Sequence, residues 1–251
     1  MTKNIWITGA SSGIGKALAI KFATEGWFVA ASARRENLLL ELCQVNSNIH
    51  SFPLDVASPE NAKTIFENII KKLNSIDLCI FATGIYEPNA EKEINIQKMQ
   101  DVMKINFFGT VNCIKAVEKN FKERNEGHIS IVSSVAGYGG WPNSSGYGPS
   151  KAALINLAES LYFDFKKYNV RVSLISPGYI KTPMTDKNKF KMPFIKSAEF
   201  AANKIYKGLV KNNSFEITFP KELTLIIKIF KILPYKLYFY LISKLTKIQK
   251  R

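Results

Sequence analysis

Thr8-Gly9-Ala10-Ser11-Ser12-Gly13-Ile14-Gly15 lies between a short apolar run, Ile5-Trp6-Ile7, and a helical pattern that begins at Lys16. Glycines at such a strand-to-helix junction answer three separate demands. Gly9 permits a tight turn, Gly13 lets the backbone approach a pyrophosphate, and Gly15 lets the helix pack closely on the sheet. The helix start then offers unpaired N–H groups and a partial positive charge to phosphate, with Thr8, Ser11, Ser12 and Ile14 completing the loop. The same composition also suits an ordinary flexible turn, so the surrounding pattern has to decide.

Outward from this loop, short apolar runs alternate with longer helical patterns. Residues 5–7, 28–33, 49–54, 78–82, 128–133, 170–175 and 215–219 read as strands, several of them apolar nearly throughout, as strands covered on both faces are. Residues 16–25, 58–73, 96–125, 147–168 and 198–211 have helical spacing. Ser58-Pro59-Glu60 is a helix start, and Asn125-Glu126-Gly127 a helix stop. The alternation predicts an α/β chain. Its core is a single-domain Rossmann fold over 1–220, a doubly wound seven-stranded parallel sheet with helices on both faces. Residues 176–197 form a long connection, a candidate lid, and 221–251 a separate basic, apolar tail.

The end of the second strand reads Ala31-Ser32-Ala33-Arg34-Arg35. An NAD site calls for a carboxylate here to accept from the ribose 2′-hydroxyl. This chain has Ala33 and then two arginines, and a guanidinium can clamp a 2′-phosphate. The pattern favours NADP(H) over NAD(H), unless the arginines are simply solvated. Asp55 is placed to accept from the adenine amino group, with Val56 against the ring, although Asp55 suits a turn equally well.

Tyr147 and Lys151 are four residues apart, and Ser134 lies thirteen before the tyrosine. Two further Tyr-x-x-x-Lys pairs, Tyr162/Lys166 and Tyr240/Lys244, lack that serine and fit amphipathic helices better. A spacing of four places Tyr147 and Lys151 on one helical face. A nearby ammonium is expected to lower a phenol from its usual pKa of about 10 towards useful acid–base chemistry. Ser134, at a strand end, can donate to an oxygen on which charge develops.

These residues resemble the short-chain dehydrogenase/reductase superfamily over roughly residues 3–220. The resemblance is carried by residues 8–15, by Leu54-Asp55-Val56, by 104–109, by 129–137, by 147–151 and by 176–184. It implies hydride transfer between a substrate carbon and a nicotinamide ring, coupled to proton transfer through Tyr147. It also implies that Asn106 is a fourth catalytic residue, at a helix distortion, helping to hold a proton-relaying water. Pro177, Gly178, Ile180 and Thr182 resemble the segment that meets the nicotinamide. Where the family usually has Asn-Asn-Ala-Gly, this chain has Phe81-Ala82-Thr83-Gly84, so Ala82 and Gly84 stand at the cofactor without the two asparagines. Relatives are commonly dimers or tetramers, which makes a homodimer or homotetramer the expectation.

The net charge is +15, and the tail from Lys221 carries a large share of it, interleaved with aliphatic and aromatic bulk. Pro234 divides the tail into two short basic amphipathic helices. Lys221, Thr224, Lys228 and Lys231 form one stripe, and Lys236, Tyr240, Lys244, Lys247 and Arg251 another. Three uses are open: a helix pair packed on the core, peripheral contact with a membrane, or an arm over a cleft of this or a second subunit. Nucleic acid is not expected as a partner, since no recognised motif accompanies the lysines. The three cysteines, Cys43, Cys79 and Cys113, are scattered in apolar stretches, and His50 and His128 are far apart. Buried free thiols, no metal and a cytoplasmic location follow as expectations. So does an N-terminus that belongs to the fold, without a signal peptide.

Two functional readings remain. One is an NADP(H)-dependent enzyme interconverting a carbonyl and a secondary alcohol, its substrate made lipophilic by the tail and by the loops at 138–141 and 184–194. The other is a non-enzymatic NADP-binding or membrane-associated scaffold. An epimerase or dehydratase would want a larger C-terminal region than this chain has.

Overall fold

The structure is a computed structural model that describes residues 3–87, 94–188 and 192–246. β1 (Asn4–Thr8) is buried along its whole length, because it lies inside the sheet between β2 (Phe28–Ser32) and β4 (Leu78–Phe81). Its alternation divides the core. Ile5 and Ile7 join one apolar layer and Trp6 the other, as opposite faces of a strand require. The remaining strands are β3 (Ile49–Ser51), β5 (Gly127–Val132), β6 (Val170–Pro177) and β7 (Glu216–Phe219). All pairings are parallel, in the order β3-β2-β1-β4-β5-β6-β7. Strand order reverses between β1 and β4, and this opens a crevice at their carboxyl ends.

One face is covered by α1 (Gly13–Thr24), α2 (Glu36–Val45) and α7 (Ala198–Tyr206), through Leu18, Phe22, Leu39, Leu42 and Ile205. The other is covered by α3 (Pro59–Leu73), α5 (Gly109–Arg124) and α6 (Tyr147–Lys166), through Phe66, Ile69, Val117, Phe121, Leu154 and Phe165. Ser58 caps α3 by accepting from Asn61 N at 3.2 Å, with Pro59 in the first turn. Asn125 ends α5 in the left-handed region, at φ 51°.

Several expectations change. The helix expected over 96–125 is two, α4 (Ile96–Met103) and α5, joined by a wide π turn at Lys104–Phe108. The last helix of the core likewise ends in a π turn, Lys207–Lys211. α2 has no counterpart in the sequence reading. Its apolar run Leu38-Leu39-Leu40 hides the period, since Leu39 is buried while Leu40 is exposed. β3 stops at Ser51, short of the expected 54. Phe52 N and Leu54 N still bond to Ala31 O and Ala33 O, so the chain runs on beside the end of β2. Cys79 and Cys113 are buried, whereas Cys43 is only partly so.

The tail forms α8 (Lys221–Lys231) and α9 (Tyr235–Leu245), on either side of Pro234. Thr224, expected on the outer polar stripe, is buried and donates its hydroxyl to the Pro220 carbonyl at 3.2 Å. Lys247 and Arg251 of the second stripe lie outside the described residues, as does part of the 184–194 loop. Among the described residues no helix is long and apolar enough to cross a membrane.

Candidate active site

The crevice at the switch point holds a cavity of about 320 Å³. Its floor is the glycine loop, and its fit to a dinucleotide can be tested at the glycines. A Cβ on Gly15 would lie 2.2 Å from the Gly9 carbonyl oxygen, and one on Gly9 would lie 2.8 Å from the Ala82 oxygen. Neither site tolerates a side chain, and both Gly9 and Gly13 have positive φ, 71° and 54°. The bare backbone thus leaves the start of α1 open to phosphate oxygens. A Cβ on Gly13 would meet Thr182 Cγ2 at 3.0 Å, so the chain after β6 lies directly over the loop. Ser11, Ser12, Ile14 and Val56 line the same space. The residues present therefore fit a nicotinamide dinucleotide.

At the adenosine end, Ala33, Arg34 and Arg35 line the cavity rim, and no acidic side chain is among the lining residues. Arg35 donates to Ser11 Oγ at 3.0 Å and to Ser12 Oγ at 3.1 Å, which folds its guanidinium back over the glycine loop. Asp55 does not line the cavity. It is exposed, and its carboxylate accepts from Ala57 N at 3.0 Å, the turn role that its position also allowed. Thr8 lies behind the wall, buried, with its hydroxyl accepting from Thr83 N at 3.3 Å.

Ser134, Tyr147 and Lys151 line the other end, with Ala82, Gly84, Pro177, Gly178, Ile180 and Thr182. Tyr147 opens α6, and Lys151 follows one turn later on the same face. Lys151 is buried, and its ammonium donates to the Val132 carbonyl at 3.0 Å. The ammonium also stands 5.6 Å from the centre of the Tyr147 ring. Burial lowers Lys151 to about 8. Burial also dominates at Tyr147 and raises it to about 12, with the Ser134 hydroxyl pulling the other way. The phenol is therefore raised rather than lowered in this cleft: burial pushes it up, Tyr86 adds to that, and the hydrogen bond from Ser134 opposes it. Tyr147 is a protonated acid at neutral pH, and Lys151 is a cation close to losing its proton.

Asn106 sits in the π turn, fully buried and behind the cavity wall. Its Oδ1 accepts from Ile85 N at 2.7 Å, and its Nδ2 donates to Ile85 O at 3.0 Å and Ser150 Oγ at 3.0 Å. The carboxamide thus makes three hydrogen bonds to the protein. It clamps the chain after β4 to α6, and that clamp positions Gly84, where an added Cβ would stand 3.5 Å from Lys151 Nζ.

Sequence reasoning missed Tyr86. Its ring meets that of Tyr147 edge to face, with centroids 5.2 Å apart. Lys187, from the connection after β6, donates to the Tyr86 carbonyl at 3.0 Å and to Glu87 at 2.8 Å. No spacing signal marks Tyr86 in the sequence. Ile85 and Ile105 also line the cavity without having been singled out, as does Thr83, whose Oγ1 is shut off from solvent with no hydrogen-bond partner, while Met184 opens the loop expected beside the substrate.

The short chain dehydrogenase family model matches residues 3–192. An uncharacterised oxidoreductase of Myxococcus xanthus is 30% identical over 236 residues, 92% of this chain and 93% of its own. A 3-oxoacyl-(acyl-carrier-protein) reductase of Thermotoga maritima is 31% identical over 185 residues, 72% of this chain and 75% of its own. Among solved structures, ElxO with NADP bound is similar with a TM-score of 0.79 at 26% identity, covering 87% of this chain and 97% of that one.

Proposed function

The chain belongs to the short-chain dehydrogenase family, and from that membership we propose an NADP(H)-dependent oxidoreductase that interconverts a carbonyl and a secondary alcohol. The observation that carries the reading is the meeting of Ser134, Tyr147 and Lys151 with the glycine loop in one cavity. The NADP in ElxO and the reductase activity of the Thermotoga maritima relative support it from outside.

The dinucleotide supplies or accepts the hydride. The glycine loop and the start of α1 would hold its phosphates, and Arg34 and Arg35, with no carboxylate in the cavity lining, would select the 2′-phosphate. Thr182 and Gly178 close over the nicotinamide end. In reduction Ser134 donates a hydrogen bond to the carbonyl oxygen and favours negative charge there. Tyr147, protonated well above neutral pH, gives its proton to that oxygen. The Lys151 ammonium stabilises the phenolate left behind, and its low value lets it pass a proton on. Asn106 acts as a positioning residue through Ile85 and Ser150. Tyr86 against Tyr147, and Met184 in the cavity lining, bring apolar surface to the substrate end and favour a lipophilic carbonyl.

NADPH oxidation across ketones, aldehydes and acyl carbonyls of graded hydrophobicity tests this. Turnover with NADPH, rising with substrate hydrophobicity, is expected, and no turnover with any carbonyl sinks the reading. Homodimeric or homotetrameric assembly in the cytoplasm belongs to the same proposal and is read by size-exclusion chromatography with light scattering and by fractionation. The tail gives the enzyme a surface for lipid contact.

A further inference from the structure

α8 and α9 are amphipathic in an unusual sense: each buries a narrow inner edge and turns apolar side chains outward. On the inner edge, Leu223 and Ile227 pack with Val135, Tyr138, Trp141 and Tyr179. Tyr238 donates to the Gly140 carbonyl at 2.7 Å, and Ile242 is buried. These contacts seat the helices firmly on the loop after β5. On the outer side, nine of the eighteen large apolar side chains exposed among the described residues fall between Leu225 and Leu245. Ile232 is 82% exposed and Leu225 61%, so none of the described residues covers them. Such a concentration in a short stretch marks a contact surface rather than scattered apolar exposure.

The charges around that surface are mostly of one sign. Between Lys221 and Thr246 there are five lysines and one acidic residue, Glu222. Lys228 is ion-paired with Glu216, while Lys221, Lys231, Lys236 and Lys244 are exposed beside the apolar groups. Tyr235, Phe239 and Tyr240 add aromatic rings, the residues that favour a lipid–water interface. A second copy meeting this face symmetrically would bring lysine against lysine. An anionic headgroup layer complements it. At 11 residues each, the helices are too short to span a bilayer but can lie in its plane.

We infer that the outer faces of α8 and α9 form a docking surface for an anionic lipid bilayer, with Leu225, Ile229 and Ile232 entering the acyl boundary and Lys231, Lys236 and Lys244 meeting headgroups. This deepens the reading of the tail given above.

Flotation of the full chain with vesicles tests the inference without measuring turnover, so the redox assignment stands or falls separately. The chain is expected to float with phosphatidylglycerol/phosphatidylcholine vesicles and to stay behind with phosphatidylcholine alone. Each of Lys231→Glu, Lys236→Glu and Lys244→Glu should weaken partitioning on the order of fivefold or more. Ile229→Glu with Ile232→Glu should abolish it while the circular dichroism spectrum is kept, since both side chains are exposed. Absence of flotation with anionic vesicles, or flotation indifferent to these variants, overturns the proposal. So does conversion of an oligomer to a smaller species by Ile229→Glu in the absence of lipid, which would make the face a contact between copies.

Discussion

Tyr86 and Tyr147 meet edge to face with ring centroids 5.2 Å apart, so the ring of the proposed acid is held by packing as well as by its place at the start of α6. Removing the hydroxyl alone should therefore leave the ring where it is. Tyr147→Phe is expected to lower carbonyl reduction on the order of a thousandfold, within the range for losing a general acid, with NADPH affinity unchanged. Steady-state rates and a fluorescence titration of NADPH check both halves. Persisting turnover would move the acid elsewhere.

Lys151 sets the pH profile. Burial holds its folded value down to about 8, while Tyr147 remains protonated until about 12. In the proposed reduction the ammonium stabilises the phenolate, and the phenol already carries its proton. The value of kcat/KM for reduction is thus expected to be level around neutrality and to fall as pH rises through about 8, reporting the free enzyme. Lys151→Arg should be slower but should lose that descending limb, because a guanidinium keeps its charge. A limb that stays near 8 in this variant assigns it to another group.

The arginines at the cavity rim give a cofactor prediction. Arg34→Ala and Arg35→Ala should each weaken NADPH by roughly tenfold to a hundredfold, the scale of a charge-assisted hydrogen bond, and leave NADH nearly untouched. Dissociation constants for both nucleotides measure the ratio. Equal losses would mean that neither guanidinium reads the 2′-phosphate.

Acid stability turns on His128. Its Nδ1 accepts from Arg171 at 3.0 Å, and its Nε2 then carries the proton towards Ser173 Oγ at 2.8 Å. Ser173 in turn donates to the Ser214 carbonyl at 2.8 Å. Burial, with Arg171 adding to it, lowers the imidazole to about 3 from 6.5. Between those values the unfolded chain binds the extra proton, so stability falls as pH falls from 6.5 towards 3. From pH 6.5 to 5 the loss should be on the order of 2 kcal/mol. Urea unfolding at the two pH values measures it, and His128→Gln should flatten the slope while lowering stability at pH 7.

Much of this was readable in the chain, for local reasons. The glycine loop announces itself because three residues there cannot carry a Cβ, and inner strands such as β1, β2 and β4 because burial on both faces makes them apolar nearly throughout. Pro234 shows where the tail breaks. Features that depend on distant partners were not readable. Thr224 looks like a member of a polar stripe until Pro220 offers a carbonyl four residues back. Asp55 is pulled away from the cavity by the backbone of Ala57. The state of Tyr147 follows from how much water the fold removes around it, which no spacing of four residues can specify. Tyr86 matters only because β4 and α6 converge. The residues proposed to bind and react were named from motif and resemblance, and their roles stand on the experiments above.

Lys187 reaches across the cleft mouth to Glu87 and to the carbonyl of Tyr86, the residue packed on Tyr147. One solvent-exposed ion pair therefore fastens the chain after β6 to the strip that braces the acid. Such a pair weakens as dissolved salt screens it. Raising the ionic strength is therefore expected to slacken this strap and, with it, the brace beside Tyr147.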